Sequence, residues 1–283
     1  MRVYQALPPP QAEGRRIEDY LAKALPLLPQ HVIRDALQKK DVKTDGKRVG
    51  RDALAVPGAV IRLYTDFEAD LPVVYEDDRI VIVNKPAGIN CDADDWGGMT
   101  VLSLMREKAG EDYAPRLCHR LDNPTSGLLL LCKDDESESI LLDAFKNRRL
   151  TKIYQCLARG EMRPRADTKE AFLVKDAESA RVRIVTHETP GAQRIATQYE
   201  TLDFDGVLSR LRVTLLTGRT HQIRAHLSFL SHPVLGDDKY GDRALNRRMK
   251  ANGLKLCATE LTLYPGGALS CLDGLHVEIK PPF

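Results

Sequence analysis

Two short apolar runs, Ile80–Val83 in RIVIVNKP and Leu128–Leu131 in SGLLLLCK, set the strongest limit on what this chain can fold into. Four consecutive large apolar residues without polar alternation suit a strand covered on both faces, and Pro86 ends the first run. The surrounding pattern is also rich in strands. TKIYQCLARG, SARVRIVT and RIATQYETLDF read as strands. VLSRLRVTLL alternates, with Leu211, Val213 and Leu215 facing one way and Arg210, Arg212 and Thr214 the other. ESESILLDAFKNRRL has a helical pattern, and so does the segment after Thr217-Gly218. Helices do not alternate regularly with strands, so the pattern predicts an α+β domain on a mainly antiparallel sheet rather than a doubly wound one. No apolar run approaches the roughly 18 residues of a membrane-spanning helix.

The first 66 residues have a different character. RRIEDYLAKAL places Ile17, Tyr20, Leu21, Ala24 and Leu25 on one helical face, and Pro26 and Pro29 break it. QHVIRDALQKK carries a second apolar stripe, Val32, Ile33, Ala36 and Leu37. VKTDGKRV has the Asp-Gly of a tight hairpin, and GAVIRLY reads as a further strand. Residues 1–66 therefore read as a small α/β domain, 67–72 as an acidic linker, and 73–283 as the larger domain.

Charge is unevenly placed. Residues 1–66 hold 12 of the 42 Lys and Arg but only 8 of the 40 Asp and Glu, leaving 30 against 32 for the rest. The excess is densest from Gln38 to Arg51, where Lys39, Lys40, Lys43, Lys47 and Arg48 are candidate phosphate contacts. A solvated basic face is the equally simple alternative. The six cysteines are scattered without CxxC or metal-finger spacing and read as reduced, mostly buried thiols. With no apolar leader at the N-terminus, the expectation is a cytoplasmic protein.

Two stretches concentrate chemistry. In RLCHRLDNPTSGLLLLCK, Asp122 stands alone in a stiff turn: Asn123 is restricted by Pro124, and Gly127 permits an unusual backbone angle where the strand begins. By itself Asp122 reads equally as a turn-capping residue, with His119 and Arg120 as salt-bridge partners. In LLTGRTHQIRAHLSFLSHPVLGDDKYG, a strand ends at Thr217-Gly218 and a helix buries Ile223, Leu227 and Leu230, leaving His221, Arg224 and Ser228 on another face. Arg219 stands at the junction, either as a site residue or as a local cap. The aspartates of GDDKYGD lack histidine or glutamate at ligand spacing and read as a polar loop rather than a metal site.

HRLDNPTSGLLLL together with TGRTHQIRAHLSFLSHPVLGDDKYG closely resembles the RluA-type family of bacterial pseudouridine synthases, whose signature is His-Arg-Leu-Asp, two variable residues, then Thr-Ser-Gly. VVYEDDRIVIVNKPAG and KIYQCLARG match in the expected order, and the N-terminal part resembles the ribosomal-protein-type, or alpha-L, RNA-binding domain. The resemblance runs from about residue 13 nearly to the C-terminus. It implies Asp122 as catalytic aspartate, Tyr154 as the tyrosine that stacks on the target base, and Arg219 as the arginine paired with the aspartate. It implies substrate contact for Arg120, which helps displace the target nucleotide, with His221 beside it. Lys85 matches a motif lysine that serves either as structural support or as RNA contact. Two departures concern RNA choice: NCDADDWGG follows NKPAGI where the family often has His-Pro, and Asn123-Pro124 is an uncommon filling of the signature.

The implied reaction isomerises uridine in RNA to pseudouridine. It detaches the base at ring nitrogen, turns it and rejoins it at carbon five. The process is redox-neutral, so neither cofactor nor metal is expected. Asp122 either attacks the anomeric carbon, as retaining glycosidases do, or removes the neighbouring sugar proton to give a glycal. Both routes need an ionised aspartate, which a nearby guanidinium favours. Large-subunit ribosomal RNA is the leading partner, with transfer RNA the alternative; a monomer suffices. A non-catalytic RNA-binding or ribosome-assembly protein would have no need of Asp122, Tyr154 and Arg219 together. A hydrolase using Cys118-His119, or Asp122 on a glycosyl substrate, is disfavoured because adjacent strand residues face opposite sides and the lone aspartate lacks the second carboxylate that most glycosidases use.

Overall fold

The computed structural model describes residues 1–93, 96–176 and 181–283. The chain divides into two compact units, one of 1–72 and 88–117, the other of 73–87 and 118–283. In chain order the first unit begins with β1 (Arg2–Ala6), α1 (Ile17–Ala24), α2 (Gln30–Gln38), β2 (Val42–Thr44), β3 (Lys47–Val49) and β4 (Ile61–Thr65). Then come β5 (Val73–Glu76) and β6 (Ile80–Lys85) of the second unit, and α3 (Val101–Ala109) and β7 (Arg116–Leu117) of the first. The rest belongs to the second unit: β8 (Ser126–Cys132), α4 (Asp135–Lys146), β9 (Leu150–Arg159), β10 (Ala166–Asp176), β11 (Arg181–Val185), β12 (Gln193–Phe204), β13 (Leu208–Leu215), α5 (Gln222–Phe229), α6 (Arg243–Arg248), β14 (Leu256–Leu263) and β15 (Leu275–Glu278).

In the first unit an antiparallel sheet runs in the order β1-β4-β2-β3. α1 buries Ile17, Tyr20, Leu21 and Ala24, and α2 buries Ile33, Ala36 and Leu37, as the two apolar stripes predict. Asp45 (φ 47°) and Gly46 (φ 81°) both take left-handed backbone, the pair a type I′ hairpin turn requires.

The single boundary expected at 67–72 is incomplete, because residues 88–117 return to the first unit. Hydrogen bonds fix them there: Leu7 N donates to Gly97 O, Met99 N to Ala24 O, and Tyr20 Oη to Trp96 O. A Cβ on Gly98 would lie 2.1 Å from Ala24 O, so only glycine permits that approach. The Asn90–Gly98 departure thus belongs to this unit, with Lys23 Nζ 3.1 Å from the Trp96 ring centroid. Its Asp94 and Asp95 lie outside the described residues, as do Ser179 and Ala180 of SARVRIVT.

The second unit is an α+β domain on a largely antiparallel sheet ordered β11-β10-β12-β13-β9-β14-β8-β6-β5. β8 is buried along its whole length and β6 almost so, as their unbroken apolar runs require. β14 runs parallel to β8, where Cys257 and Ala258 meet Ser126 and Gly127. Gly127 has φ 112°, and a Cβ there would lie 2.2 Å from Ala258 O. Only glycine therefore lets the loop carrying Asp122 enter the middle of the sheet. α4 closes a core of Ile80, Ile82, Leu128, Leu130, Leu261 and Leu263, and Ala225 of α5 packs with Leu173, Ile184 and Ile195.

Candidate active site

The Asp122 loop is held at both ends by side chains that bond to backbone. On entry, His119 Nε2 accepts from Leu130 N at 3.1 Å. Burial, with the positive charge of Lys152 adding to it, drives the His119 pKa well below its ordinary value, so the ring is neutral. Its ring packs on Phe145, and it is no salt-bridge partner of Asp122. Within the loop, Thr125 N donates to Asp122 O at 3.0 Å. From the end of β6, Lys85 Nζ donates to Asn123 O at 3.0 Å and Pro86 O at 3.1 Å. Lys85 is fully buried and pins the residue after the aspartate, which of its two readings fits structural support rather than RNA contact. Arg120, by contrast, is exposed and has no ion-pair partner among the described residues.

The second motif builds the wall facing this loop. Gln222, buried at the start of α5, accepts from Thr217 Oγ1 (2.9 Å) and Arg219 N (3.1 Å), and donates to Ala196 O (3.1 Å) and Thr197 Oγ1 (3.0 Å). His226 Nδ1 lies 3.0 Å from the same Thr197 hydroxyl, and burial holds its pKa at about 4. These bonds fix the rotation of α5 about its axis and so the direction of Arg224.

Arg224 Nη1 lies 3.5 Å from Asp122 Oδ2. The guanidinium is buried, and its remaining donors are forked: Nε to Asp237 Oδ2 at 2.7 Å, and Nη2 to Asp237 Oδ1 at 2.8 Å and Asp238 Oδ1 at 3.2 Å. Burial opposes its charge, but the hydrogen bonds and negative charge of Asp237 outweigh burial and raise its pKa. The same balance lowers the pKa of Asp237, although burial alone would raise it. Asp237 also accepts from Lys239 N and Tyr240 N, so the GDDKY turn and the guanidinium fork form one rigid unit.

The partner of Asp122 is therefore Arg224 and not Arg219. Arg219 sits in the exposed turn before α5, five residues too early to share the inward face, and its side chain has no ion-pair partner among the described residues. Arg219→Lys is accordingly expected to lower turnover by less than about threefold, since a solvated cation is replaced by another. A loss above about tenfold in steady-state assays would put Arg219 back in the reaction.

His221 takes left-handed backbone (φ 53°) and lies beside Asp122, its Nε2 4.0 Å from Oδ2. Its Nδ1 is 2.9 Å from Tyr240 Oη, which accepts from Val182 N at 2.9 Å. The Tyr240 hydroxyl keeps both its proton and a lone pair for Nδ1, so this contact holds the ring in place in either tautomer. Burial lowers the His221 pKa, with the charge of Asp122 opposing, in keeping with a neutral ring.

Tyr154 lies in the middle of β9, 5 % exposed, opposite Val213 on one side and Ala258 on the other. Val213 in turn lies opposite Tyr199. Strand alternation places Tyr154 on the face of Thr197, the residue to which α5 is bonded. Asp122, Arg224, His221 and Tyr154 all belong to the second unit. Lys43 and Arg48 are directly opposite in the hairpin, and Lys39, Lys40, Lys47 and Arg48 are exposed, Lys39 bonded to Asp35. Like charges directly opposite repel, so the hairpin surface is suited to an anion.

Sequence reasoning missed Arg224 and Asp237 as site residues. The signal for Arg224 was its position three residues after His221, on the helix face turned away from the apolar stripe. For Asp237 there was no local signal, because its partner lies 13 residues away.

The RNA pseudouridylate synthase family model matches residues 79–229, more than half the chain. The ribosomal large subunit pseudouridine synthase C of Escherichia coli strain K12 is 29% identical over 260 residues, covering 86% of this chain and 81% of that protein. Its counterpart from Vibrio cholerae is 29% identical over 252 residues, covering 81% and 78%. Among solved structures, human RNA pseudouridylate synthase domain containing 1 aligns with a TM-score of 0.63 and 26% identity over 76% of this chain and 84% of that one. Human RNA pseudouridylate synthase domain containing 4 aligns with a TM-score of 0.61 and 24% identity, covering 75% and 88%. The matched span contains Asp122, Tyr154 and Arg224, while Asp237 and β14 lie beyond it, and the chain belongs to the RNA pseudouridylate synthase family, as an RluA-type synthase.

Proposed function

We propose that the chain converts uridines of large-subunit ribosomal RNA to pseudouridine, with Asp122 as the reacting carboxylate. The carrying observation is the ion pair of Asp122 with an arginine that is itself buried and forked onto Asp237. A guanidinium clamped in this way fixes the direction of the carboxylate before substrate arrives, which is the preorganisation that catalysis uses. His221 stands beside the pair, its Nε2 4.0 Å from Asp122 Oδ2. Tyr154 offers the displaced uracil a flat face that stacks without fixing orientation, as a base that must turn in its plane requires. Arg120, exposed on the same loop, is available to the RNA around the target.

Ribosomal rather than transfer RNA is favoured because the relatives over most of the chain are named for the large ribosomal subunit. Lys39, Lys40, Lys43, Lys47 and Arg48 would supply affinity through phosphates, an interaction that positions RNA without selecting sequence. The expected result is tritium release from ribosomal RNA labelled at carbon five of uridine, with release from transfer RNA at least about tenfold slower. Equal or faster release from transfer RNA would reassign the substrate. Release from neither would leave an RNA-binding role.

A further inference from the structure

Lys152 takes no part in the ion-pair cluster of Asp122, His221, Arg224 and Asp237. It stands two residues before Tyr154 on β9, so the two side chains leave the same face of the strand about 6.6 Å apart. Lys152 Nζ lies over the Phe145 ring, 4.9 Å from its centroid. It also lies 3.6 Å from where a Cβ on Gly218 would stand, in the turn between β13 and α5. No carboxylate pairs with it among the described residues. The titratable group facing it is His119, whose charged form is opposed by burial and by Lys152 itself. Burial lowers the Lys152 pKa to about 8. The ammonium is thus held largely out of water among an aromatic face, a neutral imidazole and a glycine peptide, and none of them balances its charge.

We infer that Lys152 binds a backbone phosphate of the nucleotide whose base stacks on Tyr154. The inference rests on the reading of Tyr154 as the stacking platform. One pleat of the strand is comparable to the span from a nucleobase to its own phosphate, so a base on Tyr154 carries its phosphate to the ammonium. Gly218 leaves the approach open, having no side chain beside Nζ. The phosphate supplies the missing negative charge, and the contact is a positioning one: it fixes the sugar relative to Asp122 while the detached base turns.

The test compares wild type, Lys152→Met and Lys152→Arg on the shortest ribosomal RNA fragment that the wild type modifies. Lys152→Met is expected to raise KM about tenfold with a smaller change in kcat. The dependence of log KM on log salt, from about 50 to about 250 mM, should become shallower by about 0.7, the share of one phosphate on a single strand. Lys152→Arg should restore KM to within about threefold. Lysine is charged below its pKa, so wild-type kcat/KM should fall as pH rises through about 8, and the arginine variant should lose that fall. Lys152→Gln carries the test if the methionine variant does not fold. An unchanged KM, an unchanged salt slope, or a pH profile the arginine variant shares with wild type would overturn the inference while leaving the proposed function standing. A wild type that forms no pseudouridine would remove both.

Discussion

In Asp122→Asn, pseudouridine formation is expected to fall by at least about 10⁴-fold, the scale of loss when the group that attacks or removes the reacting proton is taken away. The amide is nearly isosteric, so the turn bond from Thr125 N to residue 122 O and the Lys85 bond to Asn123 O are untouched. Arg224 loses only its longest ion-pair contact and remains forked onto Asp237 and Asp238. The variant should therefore melt within about 3 °C of wild type and bind RNA within about threefold. Rate and binding measured on one preparation distinguish this from misfolding. If the asparagine variant kept more than about a tenth of wild-type turnover, the carboxylate would not be the reacting group. Both routes open to the aspartate, sugar ester and glycal, require its charge, so the result holds for either.

Much of this site was legible in the sequence, and the parts that were not share a cause. Gly127 and the buried runs of β6 and β8 announced themselves through local pattern, a residue free to take positive φ and apolar continuity, whereas the stiff turn left Asp122 equally a cap and only the family resemblance gave it a role. That β11, β12 and β13 are strands was readable from their residues, but not that β10 separates β11 from β12 in the sheet. What stayed hidden depended on long-range pairing. β14 is central to the sheet because it lies between β9 and β8, a placement set by partners over a hundred residues earlier. β10 carries Asp167, Lys169 and Glu170 in a pattern that alone reads as a surface segment. The residues 88–117 were read with the larger domain because composition does not change there; backbone bonds from Leu7 and to Ala24 decide otherwise. Arg219 and Arg224 are both basic residues near one helix start. Only the rotation of α5, set by Gln222 and His226 against Thr197, decides which reaches Asp122.

Arg224 should be where stability and catalysis are lost together. Arg224→Met keeps most of the volume but removes both prongs of the fork from Asp237, whose carboxylate is inaccessible to water. A buried charge stripped of its partner costs about 3–5 kcal/mol, so a large fall in melting temperature is expected along with loss of turnover. The pH dependence identifies the cause. In wild type the Asp237 pKa is lowered, so its contribution is present above the unfolded carboxylate pKa and lost only as pH falls through the lower folded value. In Arg224→Met the same carboxyl is buried without a cation, which raises its pKa and makes its charged form the destabilising one. The stability gap between variant and wild type should therefore narrow as pH falls from about 7 to about 5. Arg224→Lys preserves one charge but neither the fork nor the reach to Asp122 at the same time, so it should recover part of the stability and little of the turnover. Asp237→Asn with Arg224→Met then removes both buried charges, and its recovery of stability without recovery of turnover would separate the two roles of the arginine. A gap that stayed constant with pH, or a lysine variant with more than about a tenth of wild-type turnover, would mean that the Arg224–Asp237 fork is packing alone and that something else orients the aspartate.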